Sequence, residues 1–298
     1  MTLQSTNSTV APPALGYGEV QTPLADLHAE PRDDAERVNQ ALLATPLAVL
    51  DTHTDAAGAA WLRVRLPDYT GWMRAESVAR LDAPPVPGRQ VRVTAPRTTL
   101  RILDAAGTVG EETVDAFMGT TLTRAPDAPP MAGEGLIVVQ VPGGREALAD
   151  PAALAPVDPA YTGSAEAIIE SARAFLTTPY LWGGMTRQGI DCSGLTQMAY
   201  RVHGYTLPRD ADEQFQQIPQ HIEIDELQPG DLLFFGKGPD HVTHVTMYVG
   251  NRQMIHASGS ANQVLVQSLD PTHPEYHGRR DTYLGARRVI PAAPRTGA

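Results

Sequence analysis

Gly189-Ile-Asp-Cys-Ser-Gly-Leu-Thr-Gln-Met-Ala-Tyr-Arg-Val202 is the stretch that decides how the rest of the chain is read. Leu195, Met198, Ala199 and Val202 recur at helical spacing, and Gly204 supplies a stop. Asp191 stands where a helix cap belongs, which puts Cys192 in the first turn. Unpaired amides and the positive end of the helix dipole favour thiolate over thiol there. The position therefore predicts a lowered thiol pKa and a nucleophile. A buried, inert thiol is the competing reading of Cys192 taken alone, because free cysteine is among the most buried residue types.

Upstream, Ile168, Ile169, Ala172, Phe175 and Leu176 repeat at helical spacing behind Ser164 as a cap. Downstream, strand-like runs follow at 231–235, 244–249, 253–257, 264–267 and 286–290. Helices followed by an antiparallel set of strands read as an α+β domain over residues 160–292.

A cysteine nucleophile needs a base, and the base needs an orienting group. His244 opens the alternating run His244-Val-Thr-Met-Tyr-Val249, and His256 lies on the returning run Met254-Ile-His-Ala257. A tight turn at Gly250-Asn251-Arg252 makes the two histidines cross-strand neighbours on one face. One then serves as base toward Cys192 while the other fixes its tautomer. His241, in a Gly/Pro/Asp loop, has no strand partner and ranks below them. No spacing of His, Cys and carboxylates completes a metal site, and no phosphate-binding loop occurs, so no cofactor is expected.

Ahead of this domain the pattern is all β. Residues 1–20 are rich in Ser, Thr, Pro and Gly without periodicity and read as a tail. Short alternating runs, among them Trp61-Leu-Arg-Val-Arg-Leu66, fill residues 21–85. The proline-rich stretch Asp82-Ala-Pro-Pro-Val-Pro-Gly88 marks a boundary, and the pattern resumes over 89–157. Two small all-β barrels in tandem are expected.

The chain has 298 residues, with 23 Lys and Arg against 34 Asp and Glu, a net charge of −11. Uniform acidity argues against nucleic-acid and membrane-surface partners. No apolar run approaches the ~20 residues needed to cross a bilayer. The N-terminus lacks a basic segment followed by an apolar one, so a cytoplasmic location is expected. A leader removed from a longer precursor would make it periplasmic or extracellular.

Six ordered blocks resemble the NlpC-type papain-like cysteine peptidases, which cleave peptidoglycan stem peptides. They are Tyr180-Leu-Trp-Gly-Gly184, Gly189-Ile-Asp-Cys-Ser-Gly-Leu195, Leu207-Pro-Arg-Asp210, Leu227-Gln-Pro-Gly-Asp231, His244-Val-Thr-Met-Tyr-Val-Gly250 and Ile255-His-Ala-Ser258. The resemblance implies a papain-like domain with Cys192 as nucleophile, His244 as base and His256 as orienting residue. It also puts Ser193 and Asp210 in contact with substrate. The family often has glycine at the position of Thr246, away from the chemistry.

Residues 42–81, with Trp61-Leu-Arg-Val-Arg and Tyr69-Thr-Gly-Trp72, resemble bacterial SH3-like domains, and residues 90–155 follow by position. Two such domains before the peptidase resemble the γ-D-glutamyl-L-diamino-acid endopeptidases of murein recycling. There the first SH3-like domain closes one end of the cleft, so that only short peptides with a free N-terminal L-Ala fit. Tyr69 matches a contributing tyrosine, whereas Thr45 stands where a glutamate is expected.

Chemistry adds Asp191 as a carboxylate for the substrate ammonium, and Tyr180 and Trp182 as cleft walls. The expected partner is therefore a stem peptide, L-Ala-γ-D-Glu-diamino acid, bound by a monomer. A secreted hydrolase of intact peptidoglycan, anchored by its SH3-like domains, is the first alternative. A catalytically silent wall-binding module is the second.

Overall fold

The computed structural model describes residues 14–86, 88–125, 135–158, 162–274 and 282–290. The alternation in Ala60–Arg65 becomes a half-buried strand, with Trp61 and Val64 fully buried and Arg63 exposed. It belongs to a seven-stranded antiparallel sheet formed by Gly16–Val20, Leu24–His28, Arg37–Leu42, Pro46–Thr54, Ala60–Arg65, Thr70–Arg74 and Val78–Leu81. The tail reading of residues 1–20 is corrected over its last five residues, while 1–13 lie outside the described residues. Gly16–Val20 pairs with both Pro46–Thr54 and Val78–Leu81, and Val20 is fully buried. Its glycines masked the strand pattern, yet Gly18 is what the packing requires. A Cβ there would lie 2.7 Å from the Ala79 carbonyl oxygen.

A second seven-stranded antiparallel sheet comprises Gln90–Val93, Arg97–Leu103, Val109–Phe117, Thr121–Arg124, Ile137–Val141, Arg145–Ala149 and Leu154–Pro156. Val109–Phe117 escaped sequence reading because its first five residues are all exposed and do not alternate. No strand intervenes between Leu81 and Gln90 among the described residues, where the proline-rich connector runs.

The C-terminal unit is α+β, as the sequence predicts. Its helices are α1 (Ala165–Arg173), α2 (Cys192–Arg201) and α3 (Ala211–Gln217). Ser164 caps α1, its hydroxyl accepting from the Ala167 amide. The six-stranded sheet has the order Gln220–Ile222, Tyr283–Arg288, Leu232–Gly238, His241–Gly250, Gln253–Ser258, Gln263–Ser268. The turn at 250–252 forms where predicted, with positive φ at Gly250, Asn251 and Arg252. Neither the seven-residue α3 nor the three-residue edge strand is foreseen, since each is too short for periodicity to register.

Three consecutive residues tie the units together. Ala41 packs in the core of the first sheet, Leu42 in that of the C-terminal unit and Leu43 in that of the second sheet. Phe117 and Met118, from the second sheet, also belong to the C-terminal core. Each such buried side chain contributes about 1.5–3 kcal/mol. The C-terminal unit thus completes its core with side chains from both sheets.

Candidate active site

Asp191 caps α2 with extended backbone, its Oδ1 accepting from the Gly194 amide at 2.7 Å. The same carboxylate accepts from the Gly183 amide at 2.9 Å and from Arg209 through two bonds, Nη1 to Oδ1 at 3.0 Å and Nη2 to Oδ2 at 2.6 Å. Ser193 Oγ donates to Oδ1 at 3.3 Å and accepts from Arg209 Nη1 at 2.9 Å. Arg209 is 1% exposed and Asp191 is 5% exposed. The carboxylate is therefore saturated and its charge is answered. This corrects one reading: Asp191 holds the start of α2 and has no lone pair left for an ammonium. The Ser193 hydroxyl is bonded in the same network. Arg209 is the buried partner of Asp191.

Cys192 is the first residue of α2, so its amide has no intrahelical acceptor. The thiol is buried, and the helix that carries it packs against the His241–Gly250 strand. Burial, reinforced by the adjacent Asp191 charge, pushes its pKa up to about 12. The Val245 amide, Arg209 and the Ser193 amide oppose this without overcoming it. The expected lowered pKa is thus overturned. The helix start helps the thiolate, but desolvation of a fully buried group outweighs it. The resting group is a neutral thiol that needs a base.

His244, the candidate base, directly precedes Val245 on that strand. His244 Nε2 and His256 Nδ1 lie 2.8 Å apart, and His256 Nε2 lies 2.8 Å from Gln267 Oε1. Both rings are buried, 6% and 1% exposed, and the His244 ring also meets Phe235. His241, at the exposed start of the same strand, sits opposite Gly238 and outside this chain of rings.

The first sheet meets this unit through polar groups. Tyr69 packs partly on its own core while its hydroxyl donates to Asp210 Oδ2 at 3.1 Å. Asp210 holds the cap position of α3 but makes no side-chain cap bond, and its Oδ2 accepts from Tyr69 instead. Burial raises the Asp210 pKa; Arg209 and the Tyr69 hydroxyl lower it, and Asp212 and Asp191 raise it. Burial also raises the Tyr69 pKa, reinforced by Asp210.

Asn39 Oδ1 accepts from Arg209 Nε at 2.7 Å, and Gln40 Oε1 accepts from the Met185 amide at 3.0 Å. Glu36 Oε1 accepts from Trp182 Nε1 at 2.8 Å, and Arg37 Nε donates to the Trp182 carbonyl at 3.0 Å. Trp182 is 57% exposed, as a cleft wall requires, and Tyr180 is half-buried beside Gly259. Gly183 must be glycine: its φ is +73°, and a Cβ would lie 2.6 Å from the Arg37 carbonyl oxygen. Thr45 lies in the turn after Arg37–Leu42, next to Ala44 of the second core rather than beside Tyr69. The first-sheet carboxylate that reaches the loops around Cys192 is Glu36. Asn39, Gln40, Glu36 and Gln267 went unread, because only three-dimensional pairing distinguishes them from solvated polar residues.

Among the described residues no group of three or more His, Cys, Asp or Glu is placed to hold a metal ion. A cleft of about 1230 Å³ lies between the two N-terminal sheets, lined by Glu19, Leu81, Ile102 and Glu146, away from Cys192.

Residues 177–282 match the NlpC/P60 family, and residues 27–78 match the bacterial dipeptidyl-peptidase Sh3 domain. The chain is 44% identical over 112 residues to dipeptidyl-peptidase 6 of Lysinibacillus sphaericus, a stretch covering 37% of this chain and 39% of that protein. It is 38% identical over 134 residues to a gamma-D-glutamyl-L-lysine dipeptidyl-peptidase of Bacillus cereus, covering 44% and 38%. The match thus spans less than two fifths of these relatives' length. The crystal structure of an NlpC/P60 family protein from Bacillus cereus superposes with a TM-score of 0.76, at 24% identity, over 92% of this chain and 100% of that one. The shared fold extends through all three units.

Proposed function

Taking residues 177–282 as an NlpC/P60 domain and residues 27–78 as a bacterial dipeptidyl-peptidase SH3 domain, we propose that the chain is a cysteine peptidase of murein peptides. It hydrolyses the bond between γ-D-Glu and the L-diamino acid in short peptides with a free N-terminal L-Ala. On this reading the second sheet is another SH3-like barrel, and the enzyme works as a monomer, without a cofactor, on recycled wall fragments in the cytoplasm.

Cys192 Sγ attacks the scissile carbonyl carbon while His244 takes the thiol proton. The raised thiol pKa makes this transfer part of the attack rather than a step before it. The Cys192 amide, free of an intrahelical acceptor, faces the developing oxyanion. His244 then protonates the departing amine of the diamino acid, leaving a thioester. Water attacks that thioester, giving its proton to His244, and restores the thiol.

The single observation that carries the substrate reading is the Tyr69–Asp210 bond, which joins the first sheet to the C-terminal unit beside the Asp191–Arg209 network. It supports a cleft closed at one end. Asp210 rather than Asp191 is the carboxylate proposed for the L-Ala ammonium, with Tyr69 beside it and Trp182 and Tyr180 along the wall. Incubation with L-Ala-γ-D-Glu-diaminopimelate and, separately, with intact sacculi, read by mass spectrometry, tests this. Release of free diaminopimelate from the peptide with sacculi untouched is expected. Rapid digestion of sacculi would establish the secreted wall hydrolase instead, and no cleavage of either would establish the silent module.

A further inference from the structure

The chain of rings does not end at His256, and its last member determines which way its protons point. Gln267 is half-buried on the Gln263–Ser268 strand, opposite Met254 and two residues from Leu265, which stands opposite His256. Strand alternation therefore puts Gln267 on the same face as His256. Its Oε1, 2.8 Å from His256 Nε2, is an amide oxygen and can only accept. His256 must then carry its proton on Nε2, which leaves a lone pair on Nδ1. That lone pair, 2.8 Å from His244 Nε2, requires the His244 proton to sit on Nε2. His244 Nδ1 is then the basic nitrogen, the state a neutral thiol with pKa about 12 requires of its base.

We propose that Gln267 is a positioning residue that fixes the tautomers of both His256 and His244. It touches neither the thiol nor the substrate. Without its acceptor, His256 can carry its proton on Nδ1 and donate it to His244 Nε2. The His244 proton then moves to Nδ1, where it blocks uptake of the thiol proton. The inference rests on His244 being the base in the proposed function.

The test uses the full chain labelled with 15N-histidine, wild type and Gln267→Met, at alkaline pH where the rings are neutral. Two-bond 1H–15N spectra show which ring nitrogen carries each proton, and the peptide above gives kcat and KM. In the wild type, Nε2 protonation of both rings is expected. In Gln267→Met, His256 is expected to shift toward Nδ1 protonation, with kcat falling about tenfold and KM changing less than twofold. Wild-type His256 protonated on Nδ1, or unchanged tautomers and kcat in Gln267→Met, would overturn the proposal. A wild type with the expected tautomers that cleaves no peptide would overturn the substrate reading while leaving the tautomer assignment standing.

Discussion

The first sheet meets the C-terminal unit mostly through polar residues, Glu36, Arg37, Asn39, Gln40, Asp68 and Tyr69, with Leu42 entering its core, whereas the second meets it through Phe117, Met118 and Arg92. Both are seven-stranded and antiparallel, and both touch the neighbourhood of α2, the first mostly around its N-terminus with Asp68 also reaching Arg201, the second at its C-terminal end. Near the N-terminus of α2 the contacts are directional hydrogen bonds, several of them to charged groups. At the other end, Arg92 Nη1 donates to the Arg201 carbonyl at 2.6 Å, a cation where the helix presents unpaired carbonyls. Around it the contact is apolar and close. A Cβ on Gly119 would lie 2.4 Å from Met198 Sδ. Hydrogen bonds specify geometry and discriminate between ligands, while apolar burial stabilises without direction. The two sheets thus hold the C-terminal unit differently, the first mainly by directional polar bonds and the second mainly by apolar packing.

Substitutions taken in order of expected effect test this contrast. The largest effect belongs to neither sheet. Cys192→Ala and His244→Ala should each abolish hydrolysis with the fold intact, and His256→Gln should leave measurable activity, since it orients rather than transfers protons. A tenth of wild-type activity in Cys192→Ala would refute the nucleophile.

Next is Arg209→Met, at the point where Asn39 of the first sheet meets the cap of α2. It leaves Asp191 buried without its cation, and a loss of about 3–5 kcal/mol is expected in denaturant unfolding. A neutral result would mean the network is not needed to hold α2.

Met118→Ala, in the second sheet, should cost about 2–5 kcal/mol of stability while leaving kcat/KM unchanged well below the unfolding transition. A change in peptide selectivity here would erase the distinction between the sheets.

Much of the site was legible because its parts are local. The Gly250-Asn251-Arg252 turn fixes the hairpin, and alternation then carries His244 and His256 to one face. Asp191 before an apolar helical stripe likewise placed Cys192 correctly. What sequence misjudged depends on burial and long-range pairing. Asp191 looked free because Arg209, eighteen residues on, gave no sign of folding back into the interior. Thr45 looked like the place of a missing carboxylate, although Glu36 is the one that reaches Trp182.

The thiol pKa was misjudged for the same reason: helix position is visible in sequence, desolvation is not. With one cysteine in the chain, iodoacetamide reports on Cys192 alone. Because the folded thiol pKa is raised, its alkylation rate should keep climbing with pH beyond the ordinary thiol value near 9. A plateau below pH ~7 would indicate a preformed thiolate of the kind seen in imidazole-paired cysteines.

On the proposed function, a free amine is selected by Tyr69 of the first sheet together with Asp210 of the C-terminal unit. The most direct measurement compares kcat/KM for L-Ala-γ-D-Glu-diaminopimelate and its N-acetylated form, in wild type and in Asp210→Asn. Acetylation removes a charge-assisted hydrogen bond worth about 1.5–3 kcal/mol, so the wild type should prefer the free peptide by about ten- to hundredfold. The preference should fall steeply in Asp210→Asn, with the loss appearing mainly in KM. In the wild type it should also fade as pH drops through the Asp210 pKa, which lies above the usual aspartate value. Equal rates on both peptides in the wild type, or an undiminished preference in Asp210→Asn, would contradict the claim.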